Sequence, residues 1–157
     1  MQKNLLLLAT AFAISICGTA QLRLPSVLSS GMVLQQNDSV TLWGWGYTLQ
    51  PVNITTSWNN TVTKTIISNS GKWGTKVKTP SAGGPYTISI NSSGREIVLN
   101  DVLIGEVWLC SGQSNMEWNY YNNPKSIKDE LPGCYNKKIR FYQVPRAASD
   151  YPQDDIQ

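Results

Sequence analysis

Apolar and polar positions alternate with a period of two through most of residues 22–99. Val40, Leu42 and Gly44 fall on one side of a run whose other side holds Thr41, Trp43 and Trp45. Val52, Ile54, Thr56 and Trp58 recur at every second position. Trp73, Thr75, Val77 and Thr79 do the same against Gly74, Lys76 and Lys78, and Tyr86, Ile88 and Ile90 follow. Successive side chains of a strand point to opposite faces, so each run predicts a strand with one face wet. Between the runs stand turn-forming clusters: Ser68-Asn69-Ser70-Gly71, Ser81-Ala82-Gly83-Gly84-Pro85 and Asn91-Ser92-Ser93-Gly94. Short strands with this punctuation predict an antiparallel β-sandwich domain over residues 21–100. No helical period competes there.

The pattern changes at Asp101. Val102-Leu103-Ile104 and Val107-Trp108-Leu109-Cys110 are continuous apolar runs, the pattern of strands covered on both faces in a parallel α/β sheet. Ser126-Ile127-Lys128-Asp129 has the form of a capping box and predicts a short helix through Leu131, stopped by Pro132-Gly133. Ile139–Val144 predicts a further strand, ended by Pro145. Strand, crossover and strand make one βαβ unit, and one unit cannot close a doubly covered sheet. Residues 101–157 are therefore expected to be the opening part of a truncated α/β domain.

Residues 1–20 have the form of a secretory signal peptide. Lys3 supplies the positive end, Leu5–Ile16 is an apolar stretch too short to span a bilayer comfortably, and Gly18-Thr19-Ala20 offers small residues for cleavage before Gln21. A competing reading makes Cys17 a lipid-attachment site, but bulky Ile16 stands where a lipobox has a small residue. The expectation is an exported chain, periplasmic or extracellular, with no membrane span. Charged residues are 15% of the chain, a low share that suits a β-rich exported protein. The net charge of +3 is not gathered into a basic cluster, so a nucleic-acid partner is not expected. Export permits a disulfide between Cys110 and Cys134, although Cys110 at the end of an apolar run reads more simply as a buried thiol. With zero histidines and no zinc-ligand spacing, no metal site is expected. Sequons begin at Asn37, Asn53, Asn59 and Asn91 and matter only in a glycosylating host.

The chemistry-bearing stretch is Gly105-Glu106-Val107-Trp108-Leu109-Cys110-Ser111-Gly112-Gln113-Ser114-Asn115-Met116-Glu117-Trp118. An apolar run that ends in a small polar turn can present the Ser114 hydroxyl at a sheet edge, with backbone N–H groups placed for an oxyanion. Gly112 lets the backbone turn sharply and approach a substrate, and Asn115 has the chemistry to cap a short helix. The block lacks the second glycine of a Gly-x-Ser-x-Gly elbow, and no Ser-x-x-Lys pair occurs in the chain. On these residues alone Ser114 stands open between a nucleophile and a turn serine. Without histidine, a Ser–His mechanism cannot be completed by residues 1–157.

This block resembles the nucleophile block of the sialate O-acetylesterase family, in the SGNH (GDSL-type) hydrolase superfamily. Gly31-Met32-Val33-Leu34-Gln35-Gln36 and Val40-Thr41-Leu42-Trp43-Gly44 resemble that family's entry strands. Gly71-Lys72-Trp73 and Ala82-Gly83-Gly84-Pro85-Tyr86 resemble its hairpin region, and Asp101-Val102-Leu103-Ile104-Gly105 its junction. The resemblance implies a cofactor-free carbohydrate esterase that hydrolyses O-acetyl esters of sialic acid. Ser114 would be nucleophile and backbone oxyanion donor, and Gly112, Gln113 and Asn115 would shape the loop. It also implies a catalytic aspartate and histidine that match no position of this chain.

Two alternatives stand beside it: an acetyl esterase for plant polysaccharide such as xylan, and a non-catalytic sugar-binding β module. Asp101, Glu106 and Glu117 match no catalytic block and read as structural or solvated acids. Trp43, Trp73 and Trp108 read as core packing. Trp118, just after the loop, is the candidate for lining an acetylated-sugar site.

Overall fold

Alternation becomes pairing in the computed structural model, which describes residues 21–119, 121–122, 127, 129–145 and 147–155. Seven strands form among the described residues: β1 (Val33–Gln35), β2 (Ser39–Trp45), β3 (Pro51–Thr56), β4 (Val62–Ile66), β5 (Lys72–Lys78), β6 (Gly83–Ser92) and β7 (Arg95–Gly105). They build a five-stranded sheet in the order β1-β7-β6-β3-β4 and a two-stranded sheet, β2-β5. All pairs are antiparallel except β1 with β7, where Val33, Leu34 and Gln35 run alongside Leu103, Ile104 and Gly105. The described regular structure is thus mostly strand.

One hydrophobic core takes side chains from both sheets. Leu42, Trp73 and Val77 come from the pair β2-β5, and Val52, Ile54, Ile88, Ile90, Leu99 and Val102 from the larger sheet. Within β2, β3, β5 and β6 these fall on one parity of the strand, so the period of two in the sequence is the inward face of each sheet, while Leu99 and Val102 of β7 are three apart, across a register shift. Burying an aliphatic side chain of this size contributes about 1.5–3 kcal/mol. Two buried polar groups are satisfied internally: the Thr56 hydroxyl donates to Asn59 Oδ1 at 2.8 Å, and the Thr79 hydroxyl donates to the Gln35 carbonyl at 2.7 Å. The Trp73 indole N–H is buried with no hydrogen-bond partner among the described residues.

The turns follow their residues. Ser93 and Gly94, both at positive φ (52° and 76°), join β6 to β7, the backbone that a two-residue hairpin requires. Ser81-Ala82-Gly83-Gly84-Pro85 is only partly a turn, because β6 already begins at Gly83, which pairs with Ile104 through an irregular register. Gly84 adopts φ +121°, and a Cβ there would lie 2.8 Å from the Val102 carbonyl.

The structure corrects the expectations past Gly105. Val102-Leu103-Ile104 is not a new strand: β7 runs without a break from Arg95 through Asp101 to Gly105. Val107–Cys110 forms no strand, and Trp108 and Leu109 are 83% and 94% exposed. Cys110, expected in the core, is exposed, and both it and Cys134 are free thiols. Trp108 likewise packs into no core. Ile139–Val144 is not a strand either, and Phe141 is 93% exposed. The physical reason is common to all of these: a strand needs a ladder partner, and the described residues offer none to either run. Leu131–Gly133 is a 3-10 turn, and Asp129 and Glu130 before it are turn residues, so the expected helix does not run through Leu131. The signal-peptide segment 1–20 lies outside the described residues, as do Ser126 and Lys128 of the expected capping box.

Gly44 is a tight point of the core. An added Cβ would lie 2.3 Å from the Arg23 carbonyl and 3.1 Å from Trp73 Cζ2, and Arg23 is itself fixed by two backbone hydrogen bonds to Trp45. Gly44→Ala is expected to lower stability by about 1–3 kcal/mol or more, the range for overpacked cores. A shift of the urea midpoint at unchanged slope measures it; an unshifted midpoint would contradict the packing.

Candidate active site

The chain leaves β7 at Gly105 into a cluster of side-chain hydrogen bonds. Gln36 Nε2 donates to Glu106 Oε1 at 2.6 Å, and Gln35 Nε2 donates to Glu106 Oε2 at 3.2 Å. The carbonyl ends of the two amides are also used. Gln35 Oε1 accepts from the Val107 N–H and Gln36 Oε1 from the Ala82 N–H, both at 2.9 Å. Glu106 is therefore a structural acid. Acceptance of two N–H donors favours its charged form, so its carboxyl is held below the ordinary glutamate value, with the bond from Gln36 the larger cause and that from Gln35 the smaller.

Eight residues on, Ser114 opens a 3-10 turn, Ser114–Glu117, with Gln113 in extended backbone at its N-cap. The Met116 N–H donates to the Gln113 carbonyl at 2.9 Å and the Trp118 N–H to the Asn115 carbonyl at 3.3 Å. Gln113 thus holds the capping position expected of Asn115, and Asn115 lies inside the turn. Gly112 matters through packing: a Cβ at this position would lie 2.8 Å from Met116 Cγ. Gly112, Gln113, Ser114, Asn115 and Trp118 are all exposed, so the loop leaves both the Ser114 hydroxyl and the Trp118 indole open to solvent. The Glu117 side chain is outside the described residues.

The other acid near this exit is also engaged. Asp101, at φ 54° in an irregularity of β7, accepts from Arg140 Nη2 at 2.8 Å. Further polar ties bring the last described residues onto β5 and the turn that precedes β1. Asp154 pairs with Lys72 at 2.7 Å, while Asp155 accepts from the Ser26 N–H at 2.9 Å and its hydroxyl at 2.8 Å. Sequence pattern contains no signal for these ties, because isolated acids and bases carry no periodicity. Exposed pairs of this kind contribute about 0–1 kcal/mol each. Among the described residues no group of three or more metal-ligating side chains occurs, and no helix is long and apolar enough to cross a membrane.

With this geometry in place, the comparisons point to one class: the chain is similar to carbohydrate esterases. A crystal structure of a carbohydrate acetylesterase from Xanthomonas citri matches with a TM-score of 0.75 at 28% identity, covering 87% of this chain and 31% of that one. In sequence the chain is a homologue of the sialate O-acetylesterases. The mouse enzyme is 30% identical over 146 residues and the human enzyme 33% over 143, each match covering 85% of this chain. The chain spans about a quarter of the length of these relatives, 26% and 27%. No family model matches it.

The hydrogen bonds at Glu106 have a measurable consequence. A carboxyl with a lowered folded value contributes stability that is present above the unfolded value, near 4.5, and lost as pH falls through the folded value. Carboxyl carbon NMR should find Glu106 titrating below 4.5, and Gln36→Leu should raise its midpoint. An unmoved midpoint in that variant would remove the hydrogen bond as the cause.

Proposed function

We propose that this chain carries the nucleophile segment of an exported serine carbohydrate esterase that releases acetate from O-acetylated sugars. The observation that carries the reading is homology to sialate O-acetylesterases over 85% of the chain, in a region that includes an exposed serine loop. In this reading residues 21–100 are a β-sandwich domain and residues 101–157 begin an SGNH-type catalytic domain. The signal peptide is residues 1–20.

The chemistry is double displacement. Ser114 Oγ attacks the acetyl carbonyl as its proton passes to a base, and backbone N–H groups at the loop hold the oxyanion. The tetrahedral intermediate collapses, the C–O bond to the sugar breaks, and the sugar hydroxyl leaves with the proton. Water then attacks acetyl-Ser114, giving acetate and the free serine. With zero histidines in residues 1–157, the base and its orienting acid come from outside them. Gly112, Gln113 and Asn115 hold the loop, and Trp118 supplies a flat apolar wall for a sugar ring.

Sialic acid is the substrate in the names of the mouse and human relatives, and it is the substrate we propose. The structural neighbour is a carbohydrate acetylesterase, a broader substrate class. That observation favours a second reading, an acetylated polysaccharide such as xylan. Acetate release from acetylated sialic acid and from acetylated xylan, measured on the intact protein, separates the two.

Ser114→Ala should abolish release and fluorophosphonate labelling while leaving the melting temperature unchanged; undiminished turnover in that variant would sink the assignment. A normal fold with no labelling of wild type would instead favour a non-catalytic sugar-binding module.

The apolar side chains of Val107, Trp108, Leu109, Phe141 and Val144 are all exposed, in contrast to the covered faces of β2, β3 and β6. In the proposed enzyme they are covered by further polypeptide. Hydrogen exchange on residues 21–157 alone should be fast across 107–119 and slow in β3, β6 and β7. Equal protection in both regions would count against a missing layer.

A further inference from the structure

We propose that Gln35, Gln36 and Glu106 are positioning residues that set the direction in which the chain leaves β7 toward Ser114. The inference rests on the reading of Ser114 as nucleophile. Three segments meet at this point: the end of β1, the approach to β6 at Ala82, and the exit of β7. From the end of β1, Gln36 reaches both of the other segments and Gln35 the exit of β7 alone. The amino group of each glutamine binds one oxygen of Glu106, at 2.6 Å from Gln36 and 3.2 Å from Gln35, and its carbonyl takes a backbone N–H, of Ala82 or Val107.

The glutamines are themselves held. Gln35 pairs with Gly105 in the parallel ladder, the Gln36 N–H donates to the Gly105 carbonyl at 2.8 Å, and the Gln35 carbonyl accepts from Thr79. Glu106 and Val107 are thereby fixed after the last strand residue, where the ladder itself no longer constrains the backbone. Both oxygens of Glu106 and both ends of each amide are in use, so each of the three residues depends on the others.

The chemistry explains why an acid stands here without acting on substrate. A carboxylate is acceptor-only and receives two N–H donors at once. A glutamine in its place has one acceptor oxygen and would set its own NH₂ against one of the two donors. Catalytic loops need near-attack geometry, and about 1 Å of misplacement can cost on the order of a hundredfold in rate. A clamp at the root of the loop therefore acts on turnover while touching neither substrate nor Ser114.

The test uses the intact protein with Glu106→Gln, Glu106→Ala and the pair Gln36→Ala/Glu106→Ala. Expected are a fall of about tenfold or more in kcat and in the rate of fluorophosphonate labelling of Ser114 in Glu106→Ala, with KM little changed. Glu106→Gln should fall between wild type and Glu106→Ala, and the double variant should be only slightly worse than Glu106→Ala, because Gln36→Ala removes the same bond and adds only the loss of the one from the Ala82 N–H.

Amide hydrogen exchange at Val107 gives a readout that does not depend on activity: it should quicken in Glu106→Ala while β6 keeps its protection. Should Ser114→Ala leave turnover intact, the nucleophile reading fails and with it the catalytic role of the clamp. Val107 exchange would then report the clamp as structure alone. Normal labelling, normal kcat and unchanged Val107 exchange in Glu106→Ala would overturn the proposal. If Glu106→Ala does not fold, Glu106→Gln, which keeps one of the two bonds, decides by the same measurements.

Discussion

The rest of the structure depends on β7 being paired along both of its edges. On one side it runs antiparallel to β6 from Ser92–Arg95 up to Gly83–Ile104, and on the other its last three residues run parallel to β1. This strand therefore ties the N-terminal stretch into the sheet, seats Leu99 and Val102 in the core, and delivers the chain to the serine loop. The positive φ of Asp101 marks an irregularity in that ladder. Between Leu99 and Val102 the strand thus gains a residue without losing its inward face, so one element serves first as a hairpin arm and then as a parallel partner.

Much of this was legible in the residues, for reasons that can be stated. β2, β3, β5 and β6 each have one covered and one wet face, so Leu42, Val52, Ile54, Val77, Ile88 and Ile90 stand out by alternation alone. β1 and β4 have no comparable signature. β1 is three residues long, too short to show a period. In β4 the apolar residues Val62 and Ile66 point outward, 49% and 65% exposed, while Thr63 and Thr65 face in. Pattern reading assumes that apolar means inside, and this edge strand reverses it.

The same assumption fails at Trp108, Leu109 and Cys110, where continuous apolar character predicts burial on two faces, and at Phe141, where it predicts a strand. Periodicity reports what a segment is suited to; burial also requires a partner. The serine loop was legible as a motif because Gly112, Gln113 and Ser114 occur in a local order, whereas the supports that fix its root come from residues 35, 36 and 106. Hydrogen bonds over some 70 positions leave no periodic trace in one sequence.

The polar ties of residues 139–155 show how the two kinds of contact divide their work. Arg140 with Asp101, Lys72 with Asp154, and Ser26 with Asp155 are exposed contacts, each contributing little against the backbone entropy of ordering a chain, about 1–2 kcal/mol per residue. They can select a path over the β strands but cannot hold it firmly. The aromatic and aliphatic side chains between them carry the larger stabilising potential, and in the described residues that potential is not realised. In the enzyme proposed above, a segment with specific polar anchors and uncovered apolar faces is directed by its charges and completed by burial. The strands up to Gly105, by contrast, already bury the face on which their stability depends.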